Sequence, residues 1–112
     1  MKDIIVTGGR NYSDVNHVNS VLSLFDIGLL IQGGAPGADH LARMWADNHR
    51  IECITVSADW EKHGKAAGPF RNSTMLSLHP NAIVIAFPGG KGTADCVKKA
   101  LSRGMTVLVV AE

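Results

Sequence analysis

AIVIAFPGGKGT, residues 82 to 93, reads as a buried strand, a glycine-rich turn and the start of a helix. Its first half is continuously apolar and rich in β-branched side chains, the pattern of a strand covered on both faces, as in a parallel sheet. A proline and paired glycines then break the strand. Thr93 opens a helix in which Cys96, Val97, Ala100 and Leu101 share one side, Lys98 and Lys99 face solvent, and Gly104 ends the run. Four other runs have the same buried-strand character: KDIIVT at 2 to 7, LLIQ at 29 to 32, ECITVS at 52 to 57 and TVLVV at 106 to 110.

Helix-length segments separate these runs. The first opens at Ser13, an N-cap residue type, and places Val15, Val18, Leu22 and Phe25 on one apolar face. The second runs from about Gly37 to His49 and buries Leu41, Met44 and Trp45. The third begins near Pro69, because proline has no N–H to lose in a first helical turn, and ends before His79 and Pro80. Strict alternation of strand and helix with right-handed crossovers predicts an α/β fold: three layers around a doubly wound parallel sheet of five strands, order 3-2-1-4-5. In that order the connections change direction between the first and fourth strands, which leaves a ligand-binding crevice at their carboxyl ends.

The 112 residues suit one domain, 1–112, able to bury roughly two thirds of its unfolded surface without disulfides or metals. With 46% hydrophobic and 19% charged residues and no low-complexity stretch, the composition is that of a folded domain. A net charge of +1 is too small for the broad basic field that non-specific nucleic-acid or membrane binding draws on. Phosphate recognition is therefore expected to be local, with DNA and membrane disfavoured as partners. Cys53 and Cys96 have no CxxC spacing and read as reduced, buried thiols. The apolar run after Met1 and Lys2 is too short for a signal peptide or a membrane span, so a cytoplasmic location is expected.

Glycine pairs end three strands that the predicted order makes neighbours: TGGRNY at 7 to 12, QGGAPGAD at 32 to 39 and FPGGKGT at 87 to 93. Glycine removes the side chain and lets backbone N–H groups approach an anion, and a following helix adds unpaired N–H groups and a favourable dipole. Tight turns alone would explain any one pair; three pairs at one sheet edge point to a phosphate cradle. Gly8, Gly9, Gly33, Gly34, Pro88, Gly89, Gly90, Gly92 and Thr93 are its candidate walls. Arg10, Lys91 and Arg71 are its candidate cations, with Lys65 read as a solvated surface group.

The loops match neither GxGxxG nor GxxxxGK[ST], so a standard NAD enzyme or ATPase is disfavoured and no cofactor is expected. His40, His49 and His63 lack ligand spacing with cysteine or acid, so no metal site is expected either. A catalytic acid or base must come from Asp39, Asp59, Glu61 or Asp95; Asp39 and Asp95 also stabilise helix N-termini where they stand. The connection ADWEKHGKAAGPFRN, 58 to 72, is long and polar, and Trp60 within it serves either as a stacking surface for a base or as an anchor over the core.

PGGKGT, 88 to 93, resembles the PGGxGT signature of the SLOG superfamily of Rossmann-like nucleotide-binding proteins, which includes the Lonely Guy phosphoribohydrolases and the DNA-processing DprA/Smf proteins. The chain is most similar to the YspA-like branch, small proteins of bacteria and phages, through TGGR at 7 to 10, GGAPGAD at 33 to 39, and DW, HGKAAGP and RN within 59 to 72. The likeness covers nearly the whole chain. It implies binding of a nucleotide or nucleotide-derived small molecule and assembly into homodimers or larger homo-oligomers. In the Lonely Guy enzymes a glutamate follows the signature threonine by three residues and works with an arginine on another helix. RNSTM at 71 to 75 is similar to the segment carrying that arginine, which gives Arg71 the role, whereas Cys96 occupies the glutamate position. N-glycosidic hydrolysis would then need Asp39 or Asp95 as its carboxylate. Single-stranded DNA binding, implied by the DprA relationship, sits poorly with the near-neutral charge and low aromatic content.

Overall fold

Each of the five apolar runs contributes a strand to one parallel sheet in the computed structural model, which describes residues 1–112. The strands are β1 (Lys2–Thr7), β2 (Ile27–Gln32), β3 (Glu52–Thr55), β4 (Ile83–Ala86) and β5 (Val107–Val109). Their order, β3-β2-β1-β4-β5, is the one read from the sequence, and every neighbouring pair is parallel. The helices are α1 (Val15–Leu22), α2 (Ala38–Asn48), a short α3 (Trp60–His63), α4 (Ala67–Leu78) and α5 (Lys91–Ser102).

Successive side chains of a strand point to opposite faces, and here both faces are covered. Ile4, Val6, Leu30 and Ile85 face Val18 and Leu22 of α1 and Ala42 and Trp45 of α2. Ile5, Ile31 and Val84 face Met75 and Leu76 of α4 and Cys96 and Ala100 of α5. This explains the unbroken apolar runs, since each fully buried Ile, Leu or Val side chain contributes about 1.5–3 kcal/mol wherever it points. Ala38, Ala42 and Ala46 form a small-residue stripe that lets α2 lie close to the sheet, while Trp45 fills the remaining space.

Several expected boundaries move. Asp14, not Ser13, caps α1, its carboxylate accepting from His17 N at 3.0 Å. Val15 is exposed and Phe25 lies beyond the helix end; Val21 takes the buried place. Met44 and Leu101 are exposed, the latter by 59%, so their helices bury narrower stripes than their apolar residues suggested. The third predicted helix starts at Ala67, with Pro69 still in its first turn, and the fourth at Lys91. Residues 58 to 66 are not an irregular connection: Asp59 caps α3 through Lys62 N, and a 3-10 turn at Gly64–Ala66 leads into α4. Cys96 is buried as expected, whereas Cys53 is half-buried. No helix is long and apolar enough to cross a membrane.

Candidate functional site

The three glycine loops are tied together by their backbones at the carboxyl ends of β1, β2 and β4. Gly9 N donates to Pro88 O at 2.9 Å, and Ala38 N donates to Gly9 O at 3.1 Å. The glycines make these contacts possible. A Cβ on Gly8 would stand 2.5 Å from that of Ala38, and one on Gly9 2.8 Å from Pro88 O. Gly37 has φ +79°, and a side chain there would strike Gly9 O and the Arg10 carbonyl. Gly37→Ala combines left-handed backbone strain with overpacking and is expected to lower the unfolding free energy by about 2 kcal/mol or more in urea denaturation.

Gly90 and Gly92 are different. Neither has positive φ, and a Cβ on either would meet nothing within 4 Å. Both line the pocket in front of α5. Glycine within the first turn of a helix is unfavourable by about 0.5–1 kcal/mol relative to alanine, and at Gly92 no internal contact requires it. No side chain caps α5, so the N–H groups of its first turn have no internal partner and face the opening beside Lys91 and Thr93.

Opposite this helix terminus, α4 supplies Arg71. Its Nη1 donates to Gly33 O at 2.6 Å and its Nε to Asn72 Oδ1 at 3.0 Å, which fixes the guanidinium and leaves Nη2 free. Asn72 is buried and uses its amide on the other side, donating to Gly92 O at 3.2 Å and Asp95 Oδ2 at 3.1 Å. One side chain thus locks the arginine, α4 and the start of α5 into a single geometry. Asn72 was quoted in the RN element of the family resemblance but was not among the candidate site residues, because its partners on α5 lie far away in sequence.

Asp39, in the first turn of α2, is 6% exposed. Its Oδ2 accepts from Gly33 N at 3.1 Å and Ala35 N at 3.2 Å, holding the loop after β2 in shape. Burial pushes its pKa above the usual carboxylate range; the Ala35 N–H bond, Arg71, the Gly33 N–H bond and Arg10 oppose this without cancelling it. An acid with a raised folded-state pKa favours the folded state when protonated and loses that contribution as pH rises through the folded value. Asp39→Asn keeps an acceptor oxygen and removes the titration. Its stability relative to wild type is expected to rise with pH across and above the carboxylate range, measured by denaturant unfolding at several pH values.

The resulting pocket, about 430 Å³, is lined by Gly8, Gly9 and Arg10 from the first loop, Gly33 and Asp39 from the second, Arg71 and Asn72 from α4, and Gly90 to Thr93 from α5. Gly34 lies in a smaller adjoining cavity of about 150 Å³. Pro88 and Gly89 face a groove on the far side of the loop. Asp95 stands outside the pocket, paired with Lys99 at 3.0 Å and bonded to Asn72. Lys65 is exposed and outside it too. Trp60 is 55% exposed at the mouth against Gly68, so it does not anchor the segment into the core. Cys96 is fully buried outside this lining, its thiol pushed up to about 11, chiefly by burial.

A five-stranded doubly wound parallel sheet with a pocket lined by Arg10, Arg71 and Lys91 at its switch point is the architecture of a Rossmann-like α/β protein. The chain belongs to the YspA, cpYpsA-related SLOG family, whose sequence model matches residues 2–63. It is 36% identical, over an alignment 120 positions long, to the Gene 61 protein of Mycobacterium phage D29, covering 96% of this chain and 95% of that protein. Its fold is similar to the X-ray structure of DNA processing protein A (DprA) from Streptococcus pneumoniae, with a TM-score of 0.81 and 18% identity. That similarity covers 100% of this chain and 51% of the DprA chain, so the protein spans about half the length of that neighbour.

Proposed function

We propose that the pocket binds the phosphate of a nucleotide or nucleotide-derived small molecule, the protein acting as a sensor, carrier or sequestering domain over residues 1–112. One observation carries this reading: Arg10, Arg71 and Lys91 line the pocket beside the uncapped start of α5, and none of them is in an ion pair. The one carboxylate on the lining, Asp39, is buried and held by backbone N–H groups. Charge-assisted hydrogen bonds contribute roughly 1.5–3 kcal/mol each, so a few of them with the helix terminus suffice for micromolar affinity. Gly8, Gly9, Gly90, Gly92 and Thr93 would form the walls. Trp60 would stack on the base, an interaction worth about 1–3 kcal/mol. The cations gather in one pocket instead of tracking a groove, which favours a small molecule over single-stranded DNA. Family membership also supports a nucleotide-related ligand.

Calorimetry with nucleoside mono- and diphosphates, cyclic nucleotides and ADP-ribose derivatives is expected to find at least one micromolar ligand. No heat from any of them at millimolar concentration would sink the reading.

A second reading, N-glycosidic hydrolysis of a nucleoside 5′-monophosphate, rests on Asp39 alone. The thiol of Cys96 stays neutral near pH 7 and is buried, so it offers no charge to an oxocarbenium-like transition state. Release of free base by wild type and its loss in Asp39→Asn, followed by chromatography, would support this reading; no release by wild type would remove it.

A further inference from the structure

β5 is an edge strand of the sheet. Val84 N donates to Thr106 O and Val110 N to Ala86 O, so in this parallel ladder the peptide groups of residues 106, 108 and 110 serve β4. The N–H and C=O groups of Val107 and Val109 point away from the sheet. Beside that free edge a groove of about 750 Å³ runs between α5 and residues 109 to 112, with Ala94, Val97, Leu101, Val109 and Ala111 among its walls. Val109 is 67% exposed, more than any other residue of a strand core of this kind tolerates without a cover. Edge strands are ordinarily protected by charge, by proline or by a covering element, because a bare one pairs with other strands. The opposite edge follows that rule: β3 starts at an exposed Glu52 and ends at an exposed Thr55. β5 does not, since no charged residue and no proline stands between Gly104 and Ala111.

Charge enters only at the two ends of this stretch, Arg103 before it and Glu112 after it, and neither is in an ion pair within the chain. That polarity selects the occupant. A second copy laid parallel would bring like charges together, whereas one laid antiparallel brings the Glu112 of each copy toward the Arg103 of the other. We infer that β5 pairs antiparallel with β5 of a second copy about a two-fold axis at Leu108, joining two five-stranded sheets into one. The outward groups fix the register. Val107 of each copy exchanges backbone hydrogen bonds with Val109 of the other, and Leu108 faces its own counterpart in a non-hydrogen-bonded pair. Glu112 then falls opposite Gly104, one residue from Arg103. Arg103 gives Nη1 to Ser73 O and Ser77 Oγ and keeps Nε and Nη2 for that carboxylate. The two α5 helices lie side by side on one face of the joined sheet, which covers Leu101 and Val109.

Size exclusion with light scattering on wild type at roughly 100 μM, where a micromolar contact is well populated, is expected to find a particle of two chains. A single chain at that concentration would overturn the inference and leave the edge to a strand of another protein. Val109→Lys puts an ammonium into the apolar contact at a position that is open in the single chain, so the dimer dissociation constant should rise at least about tenfold while the far-ultraviolet circular dichroism stays as in wild type. Leu108→Cys tests the register independently of that variant. The Cα atoms of a non-hydrogen-bonded pair stand about 4.5 Å apart, within the range of a disulfide. Mild oxidation should therefore convert most of Leu108→Cys to a covalent dimer, whereas wild type, whose Cys53 and Cys96 lie on β3 and α5, should stay uncrosslinked. A dimer that Val109→Lys leaves intact, or that Leu108→Cys fails to trap, would place the contact elsewhere and overturn the assignment.

Discussion

Arg71→Ala will weaken binding of a phosphate ester at least about a hundredfold, the loss expected from two charge-assisted hydrogen bonds of roughly 1.5 kcal/mol or more each. Two of the five N–H donors of the guanidinium are committed to Asn72 Oδ1 and Gly33 O. The other three have no partner within the chain, and on a residue that lines the pocket they offer a fork that would match two phosphate oxygens. Arg71→Lys restores the charge without the fork: an ammonium cannot reach Gly33 O, Asn72 Oδ1 and a ligand together, so it should recover only a small part of the loss. Lys91→Ala gives the scale, because an exposed lysine contributes about 0–1 kcal/mol, a fewfold change at most. The order of dissociation constants by calorimetry, with wild type tightest, then Lys91→Ala, Arg71→Lys and Arg71→Ala, is the expected result. Equal small effects at Arg71 and Lys91 would show that the ligand does not meet the α4 arginine. The arginine variants also leave Asn72 Oδ1 without its donor, so a stability loss of about 1–3 kcal/mol should accompany them in unfolding measurements.

The sheet was legible because a strand buried on both faces leaves a pattern that needs no knowledge of its neighbours. Ile4, Ile5 and Val6 are all fully buried although they point in alternate directions. Helix starts were less legible, for local reasons. Ser13 and Asp14 are both N-cap residues, and only the backbone decides which one turns into the helix. Pro69 marks a first turn without marking its first residue, and Gly90 starts α5 with no capping side chain at all. Met44 and Leu101 show that an apolar residue near the correct phase can still lie on the solvent side. The polar composition of 58 to 66 concealed α3 and its turn, which are too short to show a period.

The three glycine pairs do meet at one edge of the sheet, as their spacing predicts, but they could not be sorted by sequence. Gly8, Gly9, Gly37 and Gly89 serve close approach of loop to loop, whereas a Cβ on Gly90 or Gly92 would meet nothing within 4 Å. Asn72 acts through Arg71 and through Gly92 O and Asp95 on α5, the last two 20 and 23 residues away in sequence, and a local reading has no sight of such partners. Asp95 did carry a usable signal. Lys99 follows it by four residues on a helix, the spacing of an ion pair, and that pair turns the carboxylate away from the pocket.

That sorting of glycines leads to a prediction in which stability and binding move in opposite directions. Gly92→Ala introduces a Cβ into open space within the first turn of α5, so the fold should gain about 0.5–1 kcal/mol from helix propensity. The open space is the front of the pocket, beside the free N–H groups of the helix. A phosphate held on those N–H groups would meet the added methyl, and overpacking of this kind costs about 1–3 kcal/mol, roughly a fivefold to hundredfold loss of affinity. Denaturant unfolding and calorimetry on the same preparation separate the two effects. A variant that is more stable yet binds phosphate esters as wild type does would mean that the ligand never reaches the α5 terminus. A variant that loses stability would mean that the backbone at Gly92 has a requirement that its conformation does not reveal. A stabler protein with a weakened site is the outcome that identifies Gly92 as glycine for the sake of a bound anion.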